Sequence, residues 1–386
     1  MKIVIAPDSF KESLTAVEVA NEIEKGFRKV LPHAQYVNQP IADGGEGSVD
    51  TLIAATNGQK IHLTVKGPLG DKVETYYGIL GNTQQSTPQT AIIEVAKASG
   101  LTLIPKTLRD PRITSSIGTG ELILDALNRG IKHIILGLGG SATIDGGTGI
   151  LSALGVRFLD KNKQELKPGG IYLTDLDTID ITKLNPLLKQ CQLTLACDVT
   201  NPLCGEAGAS QVFGPQKGAN HHSIKQLDAA LSHFADILVK MGIEDHRNNA
   251  GAGAAGGIGF GLVSLLQANM KPGIDLILKM TELETKIADA DLIITGEGRL
   301  DSQTLNGKAP LGVTRLANQY AVPVIAIGGS VSEDANILLG NGITAIFAIT
   351  PGYCPLPTLL KQAKHHLYAC SRNIAALYNI SPKTND

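Results

Sequence analysis

Apolar residues along this chain fall in short runs that alternate with stretches of helical spacing. Lys2–Ala6 reads as a buried strand, and Thr15–Val30 follows with Val17, Ala20, Ile23 and Phe27 on one face of a helix. Tyr36–Ile41 predicts a second strand. After the loop Ala42-Asp43-Gly44-Gly45, Glu46–Ala55 predicts a second helix. The same order returns late in the chain. Leu292–Thr295 predicts a strand before GEGRLDSQTLNGKAP, Leu311–Gln319 a helix, and Pro323–Ile327 a strand before Gly328-Gly329-Ser330. Ile343–Ile349 and Leu359–Tyr378 complete the series as a strand and a long helix. Strands alternating with helices predict an α/β fold with a doubly wound parallel sheet.

The middle of the chain is patterned differently. Lys60–Leu80 alternates apolar and polar residues around Gly-Pro-Leu-Gly, which predicts an antiparallel hairpin. Residues 90–285 mix short strands, helices and glycine clusters. The expected organisation is a discontinuous α/β domain, 1–60 plus 286–386, carrying an inserted domain, 61–285. A cleft between two such domains is a common place for a small-molecule site.

Composition narrows the function. Lys and Arg number 34 and Asp and Glu 36, aromatic residues make up 4%, and Trp is absent, so neither a nucleic-acid nor a base-stacking partner is expected. There is no apolar run long enough to span a membrane and no signal-peptide pattern. The five cysteines form no Cys-x-x-Cys pair and read as reduced thiols, so a cytoplasmic protein is expected. Glycine is the informative excess: 43 of 386 residues, clustered rather than spread.

One cluster imitates a cofactor motif. Gly137, Gly139 and Ala142 follow an apolar run, and Asp160 ends the next one, which is the spacing of a dinucleotide fingerprint. The helix that fingerprint needs is interrupted at once by Asp145-Gly146-Gly147 and Gly149. Asp145 would also place negative charge where pyrophosphate should sit. A glycine-lined wall for some other anion fits better, with Ser141 and the amides of Gly139 and Gly140 as its contacts. Gly251–Gly261 holds six glycines in eleven positions and reads either as a close packing contact or as a ligand-facing loop. No Walker lysine motif and no protein-kinase signature occurs.

What remains is a set of inferred strand-end loops that pair acids with glycine. Ala6–Ser13 carries Asp8, Ser9 and Lys11. Ala42–Ser48 carries Asp43, Gly44, Gly45 and Glu46. Gly296–Lys308 carries Glu297, Arg299, Asp301 and Lys308. In a doubly wound sheet such loops share the carboxyl end, where ligands bind. Cations that neutralise phosphate oxygens, carboxylates that hold Mg²⁺ and glycine amides suit phosphoryl transfer. Each loop alone is also ordinary turn and cap chemistry. Asp198 and Asn201, after a further apolar run, position a hydroxyl or a metal, or else form a strand exit before Pro202. Thr114–Gly120 opens a helix whose amides bind a carboxylate or are simply capped. His221-His222 and His365-His366 read as surface pairs.

Taken together, APDSFKESLTA, ADGGEGSVDTL, SSIGTGELI, LGGSATIDGGTG, CDVTNPLCGEAGAS, FGPQKGA, GAGAAGGIGFGL and TGEGRLDSQTLNGKAP strongly resemble the bacterial type-1 glycerate kinase family. The likeness runs in order from Met1 to about Tyr378, with no departure at the charged loop positions. It implies a flavodoxin-like domain interrupted by a second α/β domain. It also implies ATP-dependent phosphorylation of D-glycerate with Mg²⁺, at the 2-hydroxyl, with the 3-hydroxyl as the alternative. Lys11 and Arg299, then Lys308, are the candidates for contacting substrate carboxylate or γ-phosphate. Asp43, Asp198 and Asp301 are the candidates for base and Mg²⁺ ligand. Competing readings are an NAD-dependent hydroxy-acid dehydrogenase and a glycerate sensor without turnover. Oligomeric state is left open, a homo-oligomer being one option.

Overall fold

A computed structural model describes residues 1–42, 47–81, 89–305 and 307–380. In chain order the described strands begin with β1 (Lys2–Ile5), β2 (Gln35–Asn38), β3 (Gln59–Lys66), β4 (Lys72–Ile79), β5 (Thr90–Glu94) and β6 (His133–Gly137). They continue with β7 (Arg157–Leu159), β8 (Thr178–Asp180), β9 (Gln192–Ala196), β10 (Asn269–Lys271), β11 (Leu292–Leu300), β12 (Val324–Val331) and β13 (Ala345–Ala348).

The chain divides into two compact units. Unit 1 comprises Met1–Asp43 and Ile274–Asp386. Its five-stranded sheet has the order β13-β12-β11-β1-β2, and every neighbouring pair is parallel. Counted within the unit this order is 2-1-3-4-5, that of the flavodoxin-like doubly wound fold, and it reverses between β1 and β11. Helix Ala16–Arg28 starts on a capping box in which Thr15 and Glu18 satisfy one another's backbone amides. It turns Ala16, Val19, Ala20, Ile23 and Phe27 inward, while Val17 is 38% exposed and lies off the expected face. Gly26 lets this helix approach Leu356–Tyr378 closely; a Cβ there would come within 2.8 Å of the Tyr368 carbonyl oxygen.

Unit 2 is the continuous segment Gly44–Gly273. Its six-stranded sheet, β10-β9-β6-β5-β4-β3, is parallel from β10 to β5 and antiparallel at the β3–β4 hairpin and at β4–β5. Strands β7 and β8 form a separate antiparallel pair. Phe234 anchors the core edge-on to Phe158 and Phe260, with centroids 5.9 and 5.6 Å apart.

The junctions differ from the expected 60/61 and 285/286. They fall at 43/44 and 273/274, because helix Ser48–Thr56 belongs to the second sheet. The Val49 amide donates to Glu94 Oε1 at 2.7 Å, and Ile53 packs on Gly78 of β4. At the other end Ile274 packs on Gly312 and Asp275 pairs with Arg315, both in unit 1.

Two strands also outrun their expected ends. β11 continues from Thr295 to Leu300 and β12 from Ile327 to Val331, pairing Glu297 with Gly328 and Arg299 with Ser330. Glycine makes this continuation feasible, since a Cβ at Gly296 or Gly329 would overlap a carbonyl oxygen of the adjacent strand. Pairing with β1 stops earlier, at Ile5–Ile294, so the end of β11 projects beyond that neighbour.

Candidate active site

The projecting end of β11 lies at the carboxyl edge of the unit 1 sheet, at its topological switch point. The turn after β1 is fastened to it, because the Asp8 amide donates to the Gly296 carbonyl at 2.8 Å. Asp8 is buried and its Oδ1 accepts the Ser9 amide at 2.6 Å. The turn then closes on itself through Phe10 and Leu14. Gly298 brings the two segments into contact: a Cβ there would sit 3.2 Å from the Lys11 amide nitrogen. Lys11 itself is exposed.

Along the β11 extension the two-residue period puts Gly296 and Gly298 on one face and Glu297 and Arg299 on the other. Lys308 Nζ lies 3.1 Å from Glu297 Oε2 and 3.6 Å from Asp301 Oδ1. Arg299 Nε is 3.2 Å from Asp301 Oδ2. The structure therefore gathers Glu297, Arg299, Asp301 and Lys308 into one linked cluster. Burial raises the Glu297 carboxyl above its ordinary range, opposed by the Thr304 hydroxyl, which donates at 2.7 Å, and by Lys308. Asp301 Oδ1 also takes the Gln303 amide at 3.1 Å, which fixes the turn after the strand. The Arg299 side chain is 68% exposed, so it can reach an anionic ligand while its partner stays tucked in.

Asp43, Gly44, Gly45 and Glu46 lie outside the described residues.

In unit 2 the predicted residues have other occupations. Ser141 is buried, and its Oγ accepts from Lys217 Nζ at 2.8 Å; Lys217 also donates to the Thr143 carbonyl at 2.8 Å. Gly139 is half-buried, and Gly140 is exposed with a left-handed φ of +71°. Asp145 is 0% exposed and takes the amide and hydroxyl of Ser116, both at 2.8 Å, and the amides of Gly147 and Gly149. The chain's own carboxylate thus occupies the Gly147 and Gly149 amides, and Ser141, one of the expected anion contacts, is paired with Lys217. The same contact uses the amide of Ser116, the N-cap of helix Ile117–Asn128, and the Ile117 amide donates to Ser115 Oγ at 3.3 Å, where an external carboxylate was one expectation. The dinucleotide reading fails here as well: β6 ends at Gly137, and the next helix begins only at Thr148.

Gly251–Gly261 takes the packing role. Gly256 and Gly257 are left-handed, and Cβ atoms at Gly256 and Gly261 would overlap the carbonyl oxygens of Thr143 and Gly146. Asp198 is exposed, and its Oδ1 accepts the Gly273 amide at 2.9 Å. Asn201 braces a loop, donating to the Ala207 carbonyl at 2.8 Å and receiving the Gly253 amide on its own carbonyl.

Two buried charges went unpredicted. Lys217, 2% exposed, is pulled down to about 7 by loss of solvation, with Asp145 opposing. Glu94 is raised by burial and fastens the start of helix Ser48–Thr56. Neither lies at a helical or strand period that marks it. Lys217 was visible only as a member of the FGPQKGA motif.

Residues 3–379 match the model of the glycerate kinase family. The chain belongs to that family. A glycerate kinase of Bacillus subtilis (strain 168) is 50% identical over 97% of each chain, and a glycerate 2-kinase of Escherichia coli (strain K12) is likewise 50% identical over 97% of each. A crystal structure provisionally described as glycerate kinase 2 from Salmonella typhimurium LT2 superposes with a TM-score of 0.88 at 47% identity, covering 98% of both chains. Family membership makes this chain a kinase and agrees with the two-part α/β architecture. Among the described residues, no helix is long and apolar enough to cross a membrane.

Proposed function

We propose that the chain transfers the γ-phosphoryl group of ATP to the 2-hydroxyl of D-glycerate, yielding 2-phosphoglycerate and ADP. The observation that carries this reading is the Glu297–Lys308–Asp301–Arg299 cluster at the switch point of the unit 1 sheet, within a chain of this family. The glycerate hydroxyl loses its proton to a carboxylate, for which Asp43, Asp198 and Asp301 are the candidates. Its oxygen then bonds to the γ-phosphorus as the bond to the ADP oxygen breaks. Lys308 is held in place by two carboxylates, and Arg299 and Lys11 are exposed. These three cations are suited to neutralise the phosphoryl oxygens and the substrate carboxylate.

Mg²⁺ commonly uses only one or two carboxylates beside the nucleotide's own oxygens, where it offsets developing charge. Glu297 and Asp301 fit that donor set, since both already turn an oxygen toward one cation. No cluster of three or more metal-binding side chains occurs among the described residues, and this mode of binding requires none. The reading carries with it a cytoplasmic site of action, where ATP is made and five free cysteines stay reduced.

The test is glycerate-dependent ADP release in a coupled assay with MgATP, followed by phosphorus NMR of the product. A 2-phosphate supports the proposal. A 3-phosphate corrects its regiochemistry, and absence of ADP release overturns it.

A further inference from the structure

A cavity of about 120 Å³ opens at the carboxyl end of the unit 1 sheet, on the Gly298 face of β11, across the strand from Glu297 and Arg299. It is enclosed by the turn after β1, the ends of β11 and β12, the residues after β13 and the first half of helix Leu356–Tyr378. Its walls are chiefly apolar, from Phe10, Ile349, Leu359, Leu360 and Ala363. Gly298 and Gly329 leave bare backbone on the sheet side, where β12 contributes only the small side chain of Ser330 to the lining.

Ser13 and Thr350 also line it, their hydroxyls donating to the Leu360 and Gly329 carbonyls, as does Ser330; the two other polar groups, Lys11 and His366, differ in kind. Lys11 contributes a cation whose side chain is exposed. His366 contributes an imidazole whose Nε2 is buried and has no hydrogen-bond partner among the described residues. Leaving such an atom unpaired is costly, so a partner arriving from outside the chain would gain from pairing with it. His366, Ile349 and Thr350 also border a more open depression farther along the same helix, at Ala369, Cys370 and Asn373.

This combination discriminates between the reactants. Glycerate has three carbons, a carboxylate and two hydroxyls, and it matches the charged cluster better than a lining dominated by apolar side chains. A purine base has apolar faces and a polar edge, and it is tethered to an anionic chain. At about 120 Å³ the cavity is well below the ~300–1,000 Å³ of a whole-ligand pocket and is scaled to one ring system. We propose that it receives the purine of the nucleoside triphosphate. His366 Nε2 meets the polar edge of the base, and Lys11 meets the polyphosphate on its way to Arg299 and Lys308. This rests on the ATP-dependent reading above.

The test compares the full-length chain with Leu359→Trp, which fills the cavity from a half-buried position, and His366→Phe, which keeps the ring and removes its nitrogens. Calorimetric titration with the non-hydrolysable analogue AMP-PNP and Mg²⁺ reads binding without turnover. Coupled kinetics then read KM for each substrate, and thermal melting establishes that each variant is folded. The expected result for Leu359→Trp is an AMP-PNP affinity and a KM for ATP worse by at least about tenfold, with KM for glycerate within about twofold of the parent. His366→Phe should weaken the nucleotide by about three- to tenfold and reduce the preference for ATP over a pyrimidine triphosphate.

If both folded variants bind AMP-PNP as the parent does, or if only glycerate KM rises, the assignment is overturned. It also fails if the parent binds no AMP-PNP. Should Leu359→Trp not fold, His366→Phe decides by the same readings. A parent that binds AMP-PNP but makes no ADP with glycerate would sink the glycerate reaction alone. Loss of AMP-PNP binding in the variants would then still support the purine cavity.

Discussion

In unit 1 the run Gly-Glu-Gly-Arg alternates bare and charged positions on a strand. One face can therefore press on the Lys11 turn while the other holds Glu297 and Arg299 in the ion cluster. In unit 2 the run Gly251–Gly261 carries no charge, and its glycines close against the Thr143–Gly146 backbone. Both runs use glycine for close approach. Only the first also delivers an exposed cation, Arg299, to the edge of a sheet. Glycine enrichment reports close backbone contact, and the residues between the glycines report whether that contact serves a ligand or a core.

The sharpest way to break this contrast is to remove the shared cation. Lys308→Ala should lower kcat/KM for glycerate phosphorylation by about 10²–10³-fold, the effect of deleting one preorganised charge-stabilising donor, with little change in Tm. A melting collapse without loss of specific activity would move the cluster into the structural class.

The converse experiment is Gly256→Ala. The residue has a φ of +72°, and its Cβ would overlap the Thr143 oxygen, so a loss of about 3 kcal/mol or more in urea unfolding is expected. The kcat/KM of the remaining folded fraction should hold.

Lys217 offers a pH test of the unit 2 interior. Its folded-state value is depressed to about 7, so between about 7 and its unfolded value near 10 the unfolded chain binds more protons. This group's contribution to stability is thus fully present above about pH 10 and is lost as pH falls to about 7. Urea titrations across that interval should show stability rising with pH in the parent and a flatter profile in Lys217→Met. Identical slopes would remove the buried ammonium from the account.

The smallest effect is expected at Gly298, where φ is ordinary and an added Cβ would sit 3.2 Å from the Lys11 amide. Gly298→Ala should change stability by less than about 1 kcal/mol. It should lower kcat/KM several-fold through the displaced Lys11 turn. An inert substitution would detach that turn from the site.

Much of unit 1 was legible because its elements follow simple periods. Lys2–Ala6 and Leu292–Thr295 are apolar runs, and the helix that follows β1 carries its own cap. The end of β11 was not legible. Residues Gly296–Leu300 read as a turn, and only the partner strand, with glycines at the matching positions, turns them into a ladder. Helix Ser48–Thr56 was found as a helix but given to the wrong unit, because the contact that decides it is with Glu94, far along the chain. The charged members of the site were readable as residue types in glycine-rich loops. Their mutual pairing was not, since Glu297, Asp301 and Lys308 meet only once the strand end is extended. Ser141 pointed the other way. Its glycine neighbours suggested an anion site, while its pairing with a lysine 76 positions later could not be read from the sequence.

The strand order of unit 1 bears on how the chain is made. β1 lies between β2 and β11, and its register pairs Ile3 with Leu292. At about 5–20 residues per second, a ribosome needs roughly a quarter of a minute to a minute to deliver that second partner. Throughout that interval the buried strand Ile3-Val4-Ile5 has only β2 to pair with, while Gly44–Gly273 emerges as an uninterrupted segment that can complete its own sheet first. Nascent unit 1 is therefore an unfinished edge for most of translation. Its exposed β1 is the segment of this polypeptide that a chaperone would be expected to guard.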